Sequence, residues 1–282
     1  MGYFKSFTAG GANGNATTVR IDRDIHTLVV RRLCNTQTDY YLRGRNPEVV
    51  NATIRNHSGS LEDIIKRCSL GDLAAFSQYG GSPIFELNCD ADGQQAARDL
   101  MCITEGLAVP TANKWLATFA IQLTLDGVCV STNAEDDFVF SFDKLQDGAV
   151  YDFIGLEGEV TGTNVLRYET LNILQDQRER DLDVDNMAGI VFPNSAAFNR
   201  LLLTYGTGRI SKYSLYELKL LAAQHNPGFL TQSFGYAQAR TLPSVQADVL
   251  AMPLHALKRI EMDTDGSPLS FLTVFNRSRL AS

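Results

Sequence analysis

Phe198-Asn199-Arg200-Leu201-Leu202-Leu203-Thr204-Tyr205-Gly206-Thr207-Gly208-Arg209-Ile210-Ser211-Lys212-Tyr213-Ser214-Leu215-Tyr216-Glu217-Leu218 is the stretch on which the fold turns. An apolar run of strand length meets a Gly-containing turn. A helical pattern follows from about Lys212 to His225, with Leu215, Leu218, Leu221 and Ala222 on its apolar face and Asn226-Pro227-Gly228 as its stop. The same phrase occurs earlier. Val49-Val50-Asn51-Ala52-Thr53-Ile54 leads through Gly59 to Ser69-Leu70-Gly71-Asp72-Leu73, inside a helical pattern that ends at Gly80-Gly81. The two serines stand 145 positions apart, at 69 and 214 of 282 residues. Two further matches keep the order: Leu100-Met101-Cys102-Ile103 with Leu250-Ala251-Met252-Pro253, and Trp115-Leu116-Ala117-Thr118-Phe119 with Phe271-Leu272-Thr273-Val274-Phe275. Four matches in one order describe a duplicated domain.

Outward from the two phrases the chain alternates short strands with turn signals. Strands are expected at Val19 to Ile25, Leu28 to Val30, Glu48 to Arg55, Pro83 to Asn88, Leu100 to Thr104, Lys114 to Thr124, Phe138 to Phe142, Val150 to Leu156, Val165 to Leu174, Ile190 to Phe192, Phe198 to Tyr205, Ala256 to Met262 and Leu269 to Asn276. In the first half, Leu61, Ile64, Ile65 and Cys68, then Leu73 and Phe76, recur at helical spacing behind Ser60 as N-cap, so the helix is expected to begin there. Gln177 to Asn186 reads as a charged loop and Asn226 to Asp248 as a long one. Residues 1–16, rich in Gly, Ala, Asn and Thr, read as a flexible N-terminal arm. Many short strands with one helix per half indicate an all-β chain, two sandwiches or jelly rolls in tandem.

Composition narrows the function. Hydrophobic content of 44% and charged content of 20% belong to a folded chain, and a net charge of −7 is unsuited to general or sequence-specific nucleic-acid binding, which needs a cationic surface. No apolar run reaches the roughly 18 residues of a membrane-spanning helix, and no basic and apolar opening marks a secretory signal, so synthesis and folding in the cytoplasm are expected. Five cysteines (Cys34, Cys68, Cys89, Cys102, Cys129), without a CxxC pair, read as buried thiols.

Catalytic constellations are hard to assemble from what is present. The histidines (His26, His57, His225, His255) form neither a nucleophile motif nor the His-x-His pair of a cupin metal site, and Gly206-Thr207-Gly208 lacks the lysine of a phosphate loop. Neither a catalytic residue nor an organic cofactor is assigned. Acid clusters at Glu135-Asp136-Asp137, Asp181 to Asp185 and Asp263-Thr264-Asp265-Gly266 offer oxygen ligands, and Asp263 with Asp265 are the candidates for calcium, although none fits the EF-hand loop. Phe229, Phe234 and Tyr236 lie in the long loop and suit a subunit contact or an outer rim. Lys5, Arg20, Arg23, Arg277 and Arg279 cluster near the termini in sequence, and they make one side basic if both termini emerge together.

Paired β-barrels, each interrupted by one short helix after Leu201-Leu202-Leu203-Thr204-Tyr205-Gly206-Thr207-Gly208-Arg209-Ile210 and a Ser-Leu-x-Glu-Leu phrase, resemble the double jelly-roll major capsid proteins of tailless icosahedral viruses. Chain size and the Gly/Ala/Asn-rich opening running into Val19-Arg20-Ile21 are most similar to the coat proteins of corticoviruses and finnlakeviruses, bacteriophages with an internal membrane. The resemblance implies two tandem jelly rolls with one inserted helix each, over residues 17–132 and 133–276, and a C-terminal tail at 277–282. It implies a structural virion protein without enzymatic activity: a homotrimer forming a pseudo-hexagonal capsomer, meeting neighbouring trimers and minor or vertex proteins in an icosahedral shell. The termini would face the internal membrane, bringing Lys5, Arg277 and Arg279 toward lipid headgroups. A carbohydrate-binding spike or adhesin module and a cupin-like enzyme are the alternatives.

Overall fold

The computed structural model describes residues 3–34, 48–55, 59–79, 85–89, 114–125, 127–130, 136–176, 179–182, 184, 186–193, 197–218, 249–253 and 257–278. The first half holds β1 (Tyr3–Thr8), β2 (Thr17–Ile21), β3 (Thr27–Cys34), β4 (Val49–Arg55), β5 (Leu61–Ser69), α1 (Leu70–Tyr79), β6 (Phe85–Cys89), β7 (Lys114–Gln122), β8 (Cys129–Val130), β9 (Asp137–Asp143) and β10 (Val150–Leu156). The second holds β11 (Thr161–Gly162), β12 (Asn164–Ile173), β13 (Glu179–Leu182), β14 (Met187–Pro193), β15 (Phe198–Tyr205), β16 (Ile210–Ser214), β17 (Val249–Pro253), β18 (Leu257–Thr264) and β19 (Leu269–Ser278). The two short strands β8 and β11 pair with each other in parallel.

Sheet order defines two jelly rolls. The first consists of β1-β10-β3-β7, extended by β6, facing β2-β9-β4-β5; the second consists of β12-β19-β14-β17 facing β13-β18-β15-β16. Leaving aside β6, β8 and β11, the strands of each half follow one connectivity: first beside last, then third, then sixth; second beside seventh, then fourth, then fifth. In both halves a helix follows the fifth strand, α1 after Ser69 and residues 215–218 after Ser214. Gly59 and Gly208, at φ 80° and 82°, hold the turn between fourth and fifth strands in a conformation that favours glycine.

The register corrects the sequence reading at four points. Residues 3–8 are not an arm but the first strand of the first jelly roll, paired along its length with β10 from Tyr3↔Gly155 to Thr8↔Val150. β9 and β10, expected in the second jelly roll, are the last two strands of the first, so the sheets change hands at residues 157–163 rather than at 132/133. A jelly roll closes by returning its last strands beside its first and third, a pairing that local periodicity does not encode.

Residues 61–69 are strand, not helix. Between Cys68 and Ile65 this strand advances three residues while β4 advances two, and between Ile65 and Asp63 it advances two for one. Arg67 takes φ 50° beside the first shift. These bulges bring Glu62, Ile64, Ile65 and Cys68 to the buried side at a spacing that imitates a helix. Lastly, the loop expected at Gln177 to Asn186 contains β13. Of the two later matches, Trp115 to Phe119 lies in the sixth strand but Phe271 to Phe275 in the eighth, so they are not equivalent; Leu100 to Ile103 lies outside the described residues.

Two apolar clusters fill the barrels. Phe138, Phe140 and Phe142 alternate inward from β9 onto Val19, Ile21, Val50, Ile54, Tyr151 and Phe153. Ile190, Phe198, Leu201, Leu203, Ile260, Met262 and Phe271 form the second cluster. β19 serves both: Leu269, Phe271 and Phe275 join the second cluster, while Leu272 and Val274 join the first. Burial on both faces is why this strand is apolar from Phe271 to Phe275 with Thr273 as the one polar residue, itself buried.

Candidate assembly surface

The junction between the barrels is a strand-to-strand seam. β5, an edge of the first barrel, pairs in parallel with β12, an edge of the second, through Tyr168↔Ile65 and Glu169↔Lys66, making one continuous eight-stranded sheet. Arg167 pairs with Glu62, and Lys66 Nζ lies 2.7 Å from Glu169 Oε1. The Tyr168 hydroxyl donates to the Gln122 carbonyl (2.6 Å), and its ring meets Phe76 of α1 edge-on at 5.8 Å. α1 itself lies on β7 and reaches over β14 and β17, burying Leu70, Leu73, Ala74 and Phe76. Burial pushes the Cys68 thiol up to about 12 and the Tyr168 hydroxyl well above its ordinary value, so neither is ionised near neutrality. The seam is built for packing.

Both barrels point the same way. Strand pairing brings Tyr3, Leu156, Thr27 and Gln122 to one end of the first barrel, together with Ile21, Asp137, Arg55 and Leu61 of the facing sheet. Leu166 N–H donates to the Leu123 carbonyl, and Asn164 pairs with Ser278, so the second barrel begins and ends at this pole as well. The described chain therefore enters and leaves on one side. Leu61 and Ile210, the first residues of β5 and β16, are 64% and 59% exposed, and Val160 is 63% exposed in the linker. An open recess between the barrels at this end is lined by Thr124, Leu125, Val128, Thr163, Asn164 and Asn276.

Among the described residues, charge at this pole is mixed rather than basic. Arg23 is held by Glu157 at 3.0 Å, and Arg55 grips Asp137 through two bonds of 2.8 and 2.9 Å. Asp22, Asp24 and Glu159 stand nearby in sequence. Lys5 donates to the Thr18 carbonyl at 2.5 Å, which ties β1 to β2, and the Arg277 guanidinium lies over the Phe275 ring at 4.7 Å. Arg279, Phe229, Phe234 and Tyr236 lie outside the described residues.

The calcium candidates are engaged in folding. Asp263 pairs with Arg200 at 2.9 Å, and Asp265 Oδ1 accepts the Ser267 N–H at 2.8 Å within the hairpin that joins β18 to β19. No group of three His, Cys, Asp or Glu side chains converges among the described residues.

A buried polar network escaped the sequence reading. Arg32 Nη1 donates to Glu48 Oε1 (2.6 Å), the Tyr151 hydroxyl donates to the same oxygen (2.7 Å), and the Gln146 N–H donates to that hydroxyl (2.8 Å). Arg31 Nε donates to Asp152 Oδ2 at 2.7 Å on the adjoining pair of β3 and β10. Arg31-Arg32 at the end of an apolar run was the signal, since two charges in a central strand need partners. Through these contacts the network fastens β3, β10 and the residue before β4 together, while Arg31 Nη1, Arg32 Nε and Nη2 and Glu48 Oε2 are buried without a hydrogen bond among the described residues.

No protein-family model matches the chain, and no curated protein matches it. Similar solved structures include the major capsid protein P2 from bacteriophage PM2, at 10% identity over 100% of this chain and 99% of that one, with a TM-score of 0.46. A chain from the atomic structure of Sulfolobus Turreted Icosahedral Virus is similar at 9% identity over 97% and 90%, with a TM-score of 0.49. The mavirus major capsid protein aligns at 8% identity over 98% and 86%, with a TM-score of 0.27. Such values assign no activity to this chain.

Proposed function

We propose that this chain is a coat protein whose trimer is a pseudo-hexagonal tile of an icosahedral virus shell. The observation that carries this reading is the pair of jelly rolls with one connectivity, fused edge to edge with both barrels pointing the same way. Three copies of such a chain supply six similar barrels, as a tile with six neighbours requires, and head-to-tail contacts between copies close into a ring when the rotation allows it. In this reading the virion is where the protein resides after synthesis in the host cytoplasm, and neighbouring tiles and vertex proteins are its partners. An internal membrane would lie beneath the pole where the described chain begins and ends, where Leu61, Val160 and Ile210 present apolar side chains outward. Those aliphatics, rather than a cationic surface, are the feature of that pole suited to a lipid bilayer. Native mass measurement of the full chain, with and without calcium, followed by electron microscopy of concentrated samples, tests the reading. A species of three chains that forms hexagonal tiles is expected; a monomer at every concentration overturns it.

A further inference from the structure

The seam inside the chain has an unfilled counterpart. β5 is the fifth strand of the first jelly roll, and its outer edge is covered by β12, the first strand of the second. β16 is the fifth strand of the second jelly roll, and among the described strands it pairs with β15 alone; β1 is the first strand of the first jelly roll and pairs with β10 alone. The two free edges are thus the same two positions that meet inside the chain.

Side chains repeat the asymmetry. Where the second barrel covers the start of α1, Leu70 is fully buried and the next residue, Gly71, is buried too. At the matching start of the second helix, Leu215 is half-buried and Tyr216 is 70% exposed. In the filled seam an aromatic from the first-strand side, Tyr168, meets an aromatic of the helix, Phe76. On the open edges Phe4, 50% exposed on β1, and Tyr216, which stands where α1 has the buried Gly71, leave one aromatic uncovered on each side.

We infer that the β16 edge and Tyr216 of one copy receive the β1 edge and Phe4 of a second copy, repeating between molecules the β5–β12 junction found within one. Exposed strand edges are templates for such addition, and a large exposed aromatic on each side supplies the apolar contact. The contact is head-to-tail, since it joins two different surfaces, so each copy keeps one free edge for the next. This surface rests on the coat-protein reading and specifies how its tile closes.

Two full-length variants test it, Phe4→Asp and Tyr216→Asp. Both positions are exposed, and an acid in the first turn of a helix suits its dipole, so each variant is expected to melt as wild type does. Each alone is expected to lose the three-chain species and run as a monomer. Mixed together, the intact β16 edge of the Phe4→Asp chain and the intact β1 edge of the Tyr216→Asp chain should form a complex of two chains and stop there. That rescue also shows that both variants are folded. A wild type of three chains whose variants still trimerise overturns the inference while the coat reading stands, and so do monomeric variants that fail to pair when mixed. A wild type that is monomeric throughout overturns both.

Discussion

The two jelly rolls share a connectivity and differ in what they bury. Within the described residues every charged side chain in the core belongs to the first half: Arg31, Arg32, Glu48, Glu62, Asp136, Asp137 and Asp152, against only Thr264 and Thr273 as buried polar residues of the second. The first barrel must order strands from a longer stretch of chain, residues 3–156 against 164–278 for the second. Charge pairs such as Arg31 with Asp152 join β3 to β10 and disfavour slipped registers, a role that apolar side chains fill less selectively. The second barrel, with its hairpin from β18 to β19, relies on apolar packing.

The largest expected effect strikes the barrel with buried charge. Arg32→Leu removes the cation that Glu48 faces and leaves a fully buried carboxylate, at a cost of about 3–5 kcal/mol. In the second barrel Leu201→Met, a volume-conserving change in an apolar core, should cost less than about 1.5 kcal/mol. Urea denaturation of the two variants checks the contrast, and equal losses would mean that the network adds nothing beyond packing.

A smaller effect concerns the two matched acids. Asp72 and Glu217 occupy the same place in the Ser-Leu-x-acid-Leu phrase, and their carboxyls move in opposite directions. Burial in the seam lifts Asp72 to about 7, whereas the Ser214 backbone N–H and hydroxyl lower Glu217. A carboxyl whose folded value is raised binds its proton more tightly in the native state, so its contribution is fully present below the ordinary value near 3.8 and is lost as pH rises toward 7. Asp72→Asn should therefore stabilise the protein at pH 8 by about 1–2 kcal/mol, a value reduced for partial solvent screening, and have little effect at pH 4. Stability curves at the two pH values decide it; a variant with the wild-type pH slope would show that Asp72 is solvated.

How much of this was legible depended on the range of each interaction. Strands with clean alternation, such as Phe138, Phe140 and Phe142, and the strands that precede the turns at Gly59 and Gly208 are evident because their signals are local, whereas the strands that follow those turns, Leu61–Ser69 and Ile210–Ser214, fall within stretches with a helical pattern. β1 was misread because half-buried Tyr3, Lys5 and Phe7 alternate with Phe4, Ser6 and Thr8, a weak pattern masked by the glycines that follow. β5 was misread because two bulges turned a period of two into a helical one. The change from first to second barrel was placed too early because the last two strands of a jelly roll look, in sequence, like the first two of the next. Of the surface residues singled out, Lys5 and Arg277 are near the pole where the described chain begins and ends, yet the exposed aliphatics there went unnoticed, since single exposed Leu, Val and Ile residues gather only in three dimensions.

The smallest effect separates the two serines of the repeated phrase. Ser214 forms a reciprocal cap: its hydroxyl accepts the Glu217 N–H at 3.4 Å, while the Glu217 carboxylate accepts the Ser214 N–H at 2.7 Å. Ser69, at the same position, has a buried hydroxyl with no hydrogen-bond partner among the described residues. Covered by the neighbouring barrel, α1 is held by Leu70, Leu73 and Phe76 and does not depend on a cap; the second helix, exposed at its start, does. Ser214→Ala should cost about 1 kcal/mol, the ordinary loss of an N-cap, whereas Ser69→Ala should be neutral or slightly stabilising because it removes a buried unpaired hydroxyl. Thermal melts of the two variants read the difference. Equal losses would mean that the cap is redundant in both halves, and the exposed helix start would then owe its order to the rest of the second barrel.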